Sequence, residues 1–179
     1  LGSVDHSRLK RVVSAGEVLN APAWDWLQNT ILGVRVPVID HMWQTETSGP
    51  AFGNPYGIEM LPIKPGAAAI ALPGIEADVV RADGTPCSTD EPGIMVFKRP
   101  FPGLTAELWG EPERYGRDYW QKIPGLYYSG DSARIDEDGY YWFAGRADEV
   151  IKIAAHRMGT IEVESASLKN KAVAECGVV

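Results

Sequence analysis

The hydrophobic pattern changes character twice along the chain. Over the first third, short apolar runs flank a helical stretch. Val12 and Val13 lead into Ser14-Ala15-Gly16-Glu17, a strand end followed by a turn. Pro22 suits the first turn of a helix, where its missing N–H costs no intrahelical bond, and the spacing carries that helix from Trp24 to Leu32. Gly33 punctuates it. Val34 to Ile39 is then a compact run rich in β-branched residues, as in a buried strand. Residues 46 to 66 are dense in Gly, Pro, Ser and Asn. A loop of that length inside a compact protein is usually functional.

From Ala67 to Phe143 the pattern shortens into strands and turns. Ile70 to Leu72, Glu76 to Val80, Ile94 to Lys98, Leu126 to Tyr128, Ala133 to Ile135 and Tyr140 to Phe143 are the predicted strands. Asp83-Gly84 and Asp138-Gly139 are hairpin signals, since glycine accepts a positive φ at little cost. Only Glu113 to Gln121 has helical spacing, so this region reads as a small sheet or barrel. A third pattern starts after Gly145-Arg146. Glu149 to Ile153 is a predicted strand, and Thr160 can cap a helix reaching Asn170, with Glu162 and Glu164 near its positive end and Lys169 and Lys171 near its negative end. A final strand is predicted after it.

Composition narrows the function classes. With 179 residues, 45% apolar and 23% charged, the chain can bury a core without staples, and disordered or collagenous readings fall away. A net charge of −7 argues against a broad nucleic-acid or anionic-membrane footprint. No apolar run approaches the roughly 20 residues of a membrane helix. Cys87 and Cys176 make neither a disulfide framework nor a metal cluster and read as free thiols. The chain opens on Leu1, without methionine, and closes on Ala174-Glu175-Cys176-Gly177-Val178-Val179, which reads as a strand beginning to pair; both ends suggest a piece of a longer polypeptide.

Three stretches could carry chemistry. Gly130-Asp131 follows the apolar strand Leu126 to Ser129, which would put an acceptor-only carboxylate at a strand end, able to take both hydroxyls of a ribose. Gly145-Arg146 closes the next strand in the same manner. Gln44-Thr45-Glu46-Thr47-Ser48-Gly49 lies just past the buried strand, where α/β proteins bind ligands: Thr45 and Ser48 offer donors to phosphate, and Glu46 a hard oxygen to Mg²⁺. His156-Arg157 brings a permanent cation that can clamp a phosphate. A turn aspartate, a polar capping loop and a surface arginine explain each feature taken singly. His6, His41 and His156 are too scattered for a metal site, and no Gly-x-Ser-x-Gly elbow marks a serine hydrolase.

Order and text together say more. Ser14-Ala15-Gly16-Glu17-Val18-Leu19-Asn20, Met42-Trp43-Gln44-Thr45-Glu46-Thr47, Tyr128-Ser129-Gly130-Asp131, Asp136-Glu137-Asp138-Gly139-Tyr140-Tyr141-Trp142, Gly145-Arg146-Ala147-Asp148-Glu149-Val150-Ile151-Lys152 and His156-Arg157-Met158-Gly159-Thr160-Ile161-Glu162-Val163-Glu164 follow one another along the chain. In this succession the sequence resembles the adenylate-forming enzymes (acyl-CoA synthetases, adenylation domains, luciferases), and among them the acetyl-CoA synthetase group most closely. Several long matches in order are far more specific than one short motif.

The resemblance implies an α/β-plus-β fold. Residues 1–66 would end a large AMP-binding α/β subdomain, 67–147 would form a β-barrel subdomain, and 148–179 would begin a small α/β lid. It implies that ATP activates a carboxylic acid to an acyl-adenylate with loss of pyrophosphate, after which coenzyme A displaces AMP. Gly16, Glu17 and Val18 would lie against adenine, with His41 and Met42 on its other face, and Asp40, Trp43 and Gln44 would belong to the same cofactor-binding set. Asp131 would hold the ribose hydroxyls, and Arg146 would reach ribose and phosphate. Thr45 would touch the α-phosphate, Glu46 would hold Mg²⁺, and Arg157 would approach the phosphate from beyond a hinge at Asp148. Trp43 would floor the acyl pocket and restrict it to acetate or propionate. Residues Ala154-Ala155 depart from the family's Ser-Gly before His-Arg, which narrows the passage expected for pantetheine.

The family's lysine-bearing phosphate loop and its adenylating lid lysine are not in these residues, so the chain by itself is expected to be inactive. An adenylation domain serving a carrier protein and a non-catalytic nucleotide-binding module remain alternatives. A cytoplasmic protein of undefined oligomeric state is implied.

Overall fold

A computed structural model of the chain describes residues 5, 7–33, 35–147, 151–153, 156–158, 160–170 and 172–178. Strand β1 (Val12–Ser14) pairs in parallel with β2 (Val38–Asp40), which places Ser14 beside Asp40. Parallel neighbours need a crossover, and a helical run supplies it. Helix α1 (Ala21–Asp25) continues without a break into a wider, π-helical run (Trp26–Leu32) that stops at Gly33, φ 67°. Asn20 caps the start, its side-chain oxygen accepting from Ala23 N at 2.9 Å, and Pro22 sits in the first turn as predicted. The run buries Leu32 with Val36 and Val38, and Leu27 and Ile31 pack against them.

The predicted strand from Val34 to Ile39 begins later, at Val38. Buried Gln28 explains the delay. It donates to Gly33 O and Val36 O and accepts from Val38 N at 2.9 Å, while Pro37 has no N–H to pair. The bonds a strand would use are taken by one side chain.

Two-residue strands β3 (Phe52–Gly53) and β4 (Ile70–Ala71) then pair antiparallel across the long loop. Strands β5 (Ala77–Val80), β6 (Gly93–Phe97), β7 (Tyr127–Ile135) and β8 (Tyr141–Arg146) form an antiparallel sheet in that order. Among the described residues its pairing is linear, β5-β6-β7-β8. Gly84 and Gly139 sit in turns at φ 83° and 80°, as their dipeptides predicted. The helical stretch near 113–121 is α2 (Pro112–Tyr115), continued by a π-helical run (Gly116–Trp120).

Strand β7 departs from expectation. The two short strands predicted on either side of Gly130 are one, and the chain passes the glycine at φ 80° with a register shift between Asp131 and Ala133. Asp131 therefore stands at a bulge inside a strand, not at a strand end. Bulges re-aim side chains without ending the ladder.

The main core joins Phe52, Val79, Met95, Phe97, Tyr127 and Tyr141. Phe52 lies 4.6 Å from the Tyr141 ring and 5.2 Å from Phe143, so side chains from before residue 66 pack into the sheet that follows it. Beyond the sheet, β9 (Ile151–Ile153) and β10 (His156–Met158) form an antiparallel hairpin before α3 (Thr160–Leu168). Thr160 is the first helical residue rather than the cap. Arg157, expected in a loop, lies on β10. No final strand forms over residues 173–178; Val178 N donates instead to Glu164 Oε1 at 3.0 Å. Asp148, the expected hinge, and Ala154-Ala155 lie outside the described residues.

Candidate functional site

The site starts at the carboxyl end of β2. Asp40, the last residue of that strand, is buried beside β1, and its Oδ2 accepts from Leu19 N at 3.4 Å. Its other oxygen, Oδ1, is buried with no hydrogen-bond partner among the described residues. Loss of water pushes the carboxyl up to about 6, with the backbone N–H groups of Leu19 and His41 opposing the rise. His41 follows, half-buried, and burial lowers its pKa, so the ring is neutral at pH 7. The imidazole packs onto Gly53, where a Cβ would lie 2.9 Å from Nε2; only glycine leaves room for it.

Trp43 is 47% exposed. A 3₁₀ turn (Thr45–Thr47) follows and is tied at both ends. The Thr47 hydroxyl accepts from Gln44 N at 3.0 Å, and Thr105 N donates to Glu46 O at 2.7 Å.

The second half of the site comes from β7 and β8. Asp131 and Arg146 are direct partners in their register. Arg146 Nη1 lies 3.6 Å from Asp131 Oδ1 and donates to Ser129 O at 3.1 Å. The guanidinium lies against Gly130: a Cβ there would be 2.6 Å from Arg146 Cζ. Gln44 joins the two halves. Its Nε2 donates to Asp131 Oδ2 at 2.6 Å and to Ser129 O at 2.8 Å.

These pieces enclose a cleft of about 210 Å³. Gly16, Glu17, Val18, Asp40, His41, Met42, Trp43, Gln44, Asp131 and Arg146 all line it. Each was singled out from sequence. Gly66, Ala68, Phe143 and Gly145 complete the wall. Gly145 belongs to the Gly145-Arg146 motif; Gly66, Ala68 and Phe143 carry no chemical signal in the sequence, and only folding reveals those three positions.

A second, polar cavity of about 340 Å³ shares Gln44 and Arg146 with the first and adds Glu46, Arg114, Asp118, Tyr119, Lys122, Tyr128 and Ser129. Glu46 therefore stands next to the main cleft and not in its wall. Tyr119 donates to Glu46 Oε1 at 2.7 Å, a contact across 73 residues that nothing local announces. Burial, and then the Glu46 carboxylate, push the Tyr119 phenol up to about 12, which keeps it a donor at neutral pH. Among the described residues no three His, Cys, Asp or Glu side chains gather as a metal cage. One carboxylate beside a cleft fits Mg²⁺ only in its usual manner, with phosphate oxygens and water completing the shell.

Thr45 is exposed and lines neither cavity. The Arg157 side chain lies outside the described residues. No helix among the described residues is long and apolar enough to cross a membrane.

A carboxylate, a guanidinium and a glycine turn around a cleft beyond a parallel strand can meet hydroxyl groups and anionic oxygens. The chain belongs to the AMP-binding enzyme family, whose sequence profile matches residues 3–109. It is 46% identical over 175 residues to an acetyl-coenzyme A synthetase of Chlorobaculum tepidum and 45% identical over 175 residues to that of Pyrobaculum aerophilum, covering 98% of this chain each time. It spans 26% of the length of those relatives, about a quarter. Among solved structures it is similar to an anthranilate CoA ligase in complex with anthranoyl-AMP, with a TM-score of 0.81 and 30% identity over 98% of this chain and 32% of that one.

Proposed function

We propose that this chain is the nucleotide-holding portion of an AMP-forming acid–CoA ligase for acetate or propionate. One observation carries the reading: ten residues from four separate stretches of sequence, 16–18, 40–44, 131 and 146, line a single cleft. The relatives' names support the acid and the thiol.

In the proposed reaction a carboxylate oxygen bonds to the α-phosphorus of ATP as the bond to pyrophosphate breaks, giving acyl-AMP. The thiol sulfur of coenzyme A then bonds to the acyl carbon, and AMP leaves with the electron pair. The first step asks for no general base, because its nucleophile is already an anion at pH 7; in the second the thiol gives up its proton to solvent as sulfur bonds to the acyl carbon. Charge accumulates on phosphate and has to be met by fixed positive groups. Arg146 meets it on the cleft side, tied to Asp131 and to Ser129 O, so little reorganisation is left for the moment of reaction. Asp131 accepts from the ribose hydroxyls, and the Gly16–Val18 turn and the neutral His41 bracket the adenine. Mg²⁺, held through Glu46 and phosphate oxygens, would neutralise charge on the leaving pyrophosphate. Thr45 at the α-phosphate, Arg157 beyond a hinge at Asp148 and a boundary near residue 147 belong to the same proposal. So does the inactivity of these 179 residues on their own.

The indole of Trp43 shortens the acyl pocket in this reading. The test is acid-dependent ATP–pyrophosphate exchange by the polypeptide that carries this chain, run over straight-chain acids from acetate to octanoate. Exchange is expected to peak at two or three carbons. Trp43→Gly should move the peak to longer acids and cut kcat/KM for acetate roughly tenfold. An acid profile that Trp43→Gly leaves unmoved removes the specificity role. Exchange with none of these acids removes the function.

A further inference from the structure

We propose that Gln44 is a positioning residue for Asp131: its amide holds Asp131 Oδ2 so that the carboxylate meets the ribose hydroxyls of a nucleotide in one fixed orientation. The inference deepens the nucleotide reading and rests on it.

The geometry leaves the amide little choice. Both hydrogens of Gln44 Nε2 are used, one on Asp131 Oδ2 at 2.6 Å and one on Ser129 O at 2.8 Å. Both neighbours are acceptors, so a flipped amide would set oxygen against oxygen. The opposite atom, Gln44 Oε1, is buried with no hydrogen-bond partner among the described residues. The backbone is clamped too. Gln44 N donates to the Thr47 hydroxyl at 3.0 Å, and that hydroxyl donates to Gln44 O at 2.9 Å.

Asp131 needs such a hold. It sits at a bulge, after a glycine at φ 80°, where the ladder gives less guidance than in a regular strand. Arg146 approaches the carboxylate through its other oxygen, Oδ1, at 3.6 Å. With Gln44 on Oδ2 and Arg146 beside Oδ1, the carboxylate cannot spin about its terminal bond. One contact comes from Gln44, 87 residues away in sequence, and the other from Arg146 at the end of β8, so the orientation is a tertiary product.

The test uses the polypeptide that carries this chain, ¹⁵N-labelled at its glutamine side chains. In the unliganded protein the two Gln44 Nε2 protons should exchange slowly with solvent and shift in Asp131→Asn; fast exchange with no shift overturns the contact itself. The wild-type chain is then titrated with AMP, 2′,3′-dideoxy-AMP and GMP. Wild type should prefer AMP over the dideoxy nucleotide by about tenfold, the size expected for charge-assisted hydrogen bonds. Gln44→Met should shrink that preference to about twofold and leave the AMP-to-GMP ratio where it was. A merely structural role would weaken AMP and dideoxy-AMP equally, and that result overturns the inference. A preference that survives in Gln44→Met overturns it as well, with the ribose reading of Asp131 intact. Absence of any preference in wild type overturns the ribose reading and this inference together. Should Gln44→Met fail to fold, Gln44→Glu carries the same expectation, because its carboxylate would face the Asp131 carboxylate and the Ser129 carbonyl.

Discussion

Asp40 shows how far a single residue's behaviour depends on what surrounds it. In an unfolded chain its carboxyl would titrate near 4; in the fold burial pushes it up to about 6. Between those values the native state binds the extra proton, so the contribution of this group to stability is greatest at low pH and is lost as pH rises from about 4 through 6. We expect Asp40→Asn to remove a pH-dependent loss of up to about 3 kcal/mol, an order-of-magnitude figure from the two-unit rise. Urea unfolding of both proteins from pH 4.5 to 7.5 reads the difference directly; parallel curves would contradict it. The sequence placed an aspartate at the close of a β-branched run and marked it as a nucleotide contact. It could not say that one oxygen would lack a partner, because that depends on Leu19 and β1 arriving beside it.

At the scale of elements, β7 and β8 set the carboxylate against the guanidinium. Sequence patterning stopped at Gly130 because alternation breaks there, and a break looks the same whether a strand ends or bulges. The register shift, and the guanidinium resting where a side chain would be, decide between the two. Gly130→Ala meets both obstacles at once, a φ of 80° and a Cβ 2.6 Å from Arg146 Cζ. We expect a stability loss of about 1–3 kcal/mol and AMP affinity lowered about tenfold as Arg146 is displaced. Gly139→Ala is the control: its φ is also 80°, but nothing lies within 4 Å of the added methyl. It should cost stability and leave AMP titrations unchanged. Equal effects of the two on AMP would disprove the packing argument.

Across the whole molecule, the α/β part and the sheet part share one core through Phe52, which is fully buried against Phe97, Tyr141 and Phe143. Truncation there should be felt on both sides. Phe52→Ala is expected to cost about 3–5 kcal/mol and to lower one transition, seen at the same urea concentration by far-UV circular dichroism and by tryptophan fluorescence. Two separated transitions would mean that the parts fold independently. What the sequence determined by itself was the set of local instructions: the capped crossover helix, the glycine turns, most of the short strands and the text of the cleft residues, since each depends on neighbours a few positions away. The tertiary structure alone decided that Gln44 meets Asp131, that Tyr119 meets Glu46 and that Gly66, Ala68 and Phe143 close the wall. Those contacts join residues far apart in the chain, and their geometry exists only once the shared core has fixed both partners in space.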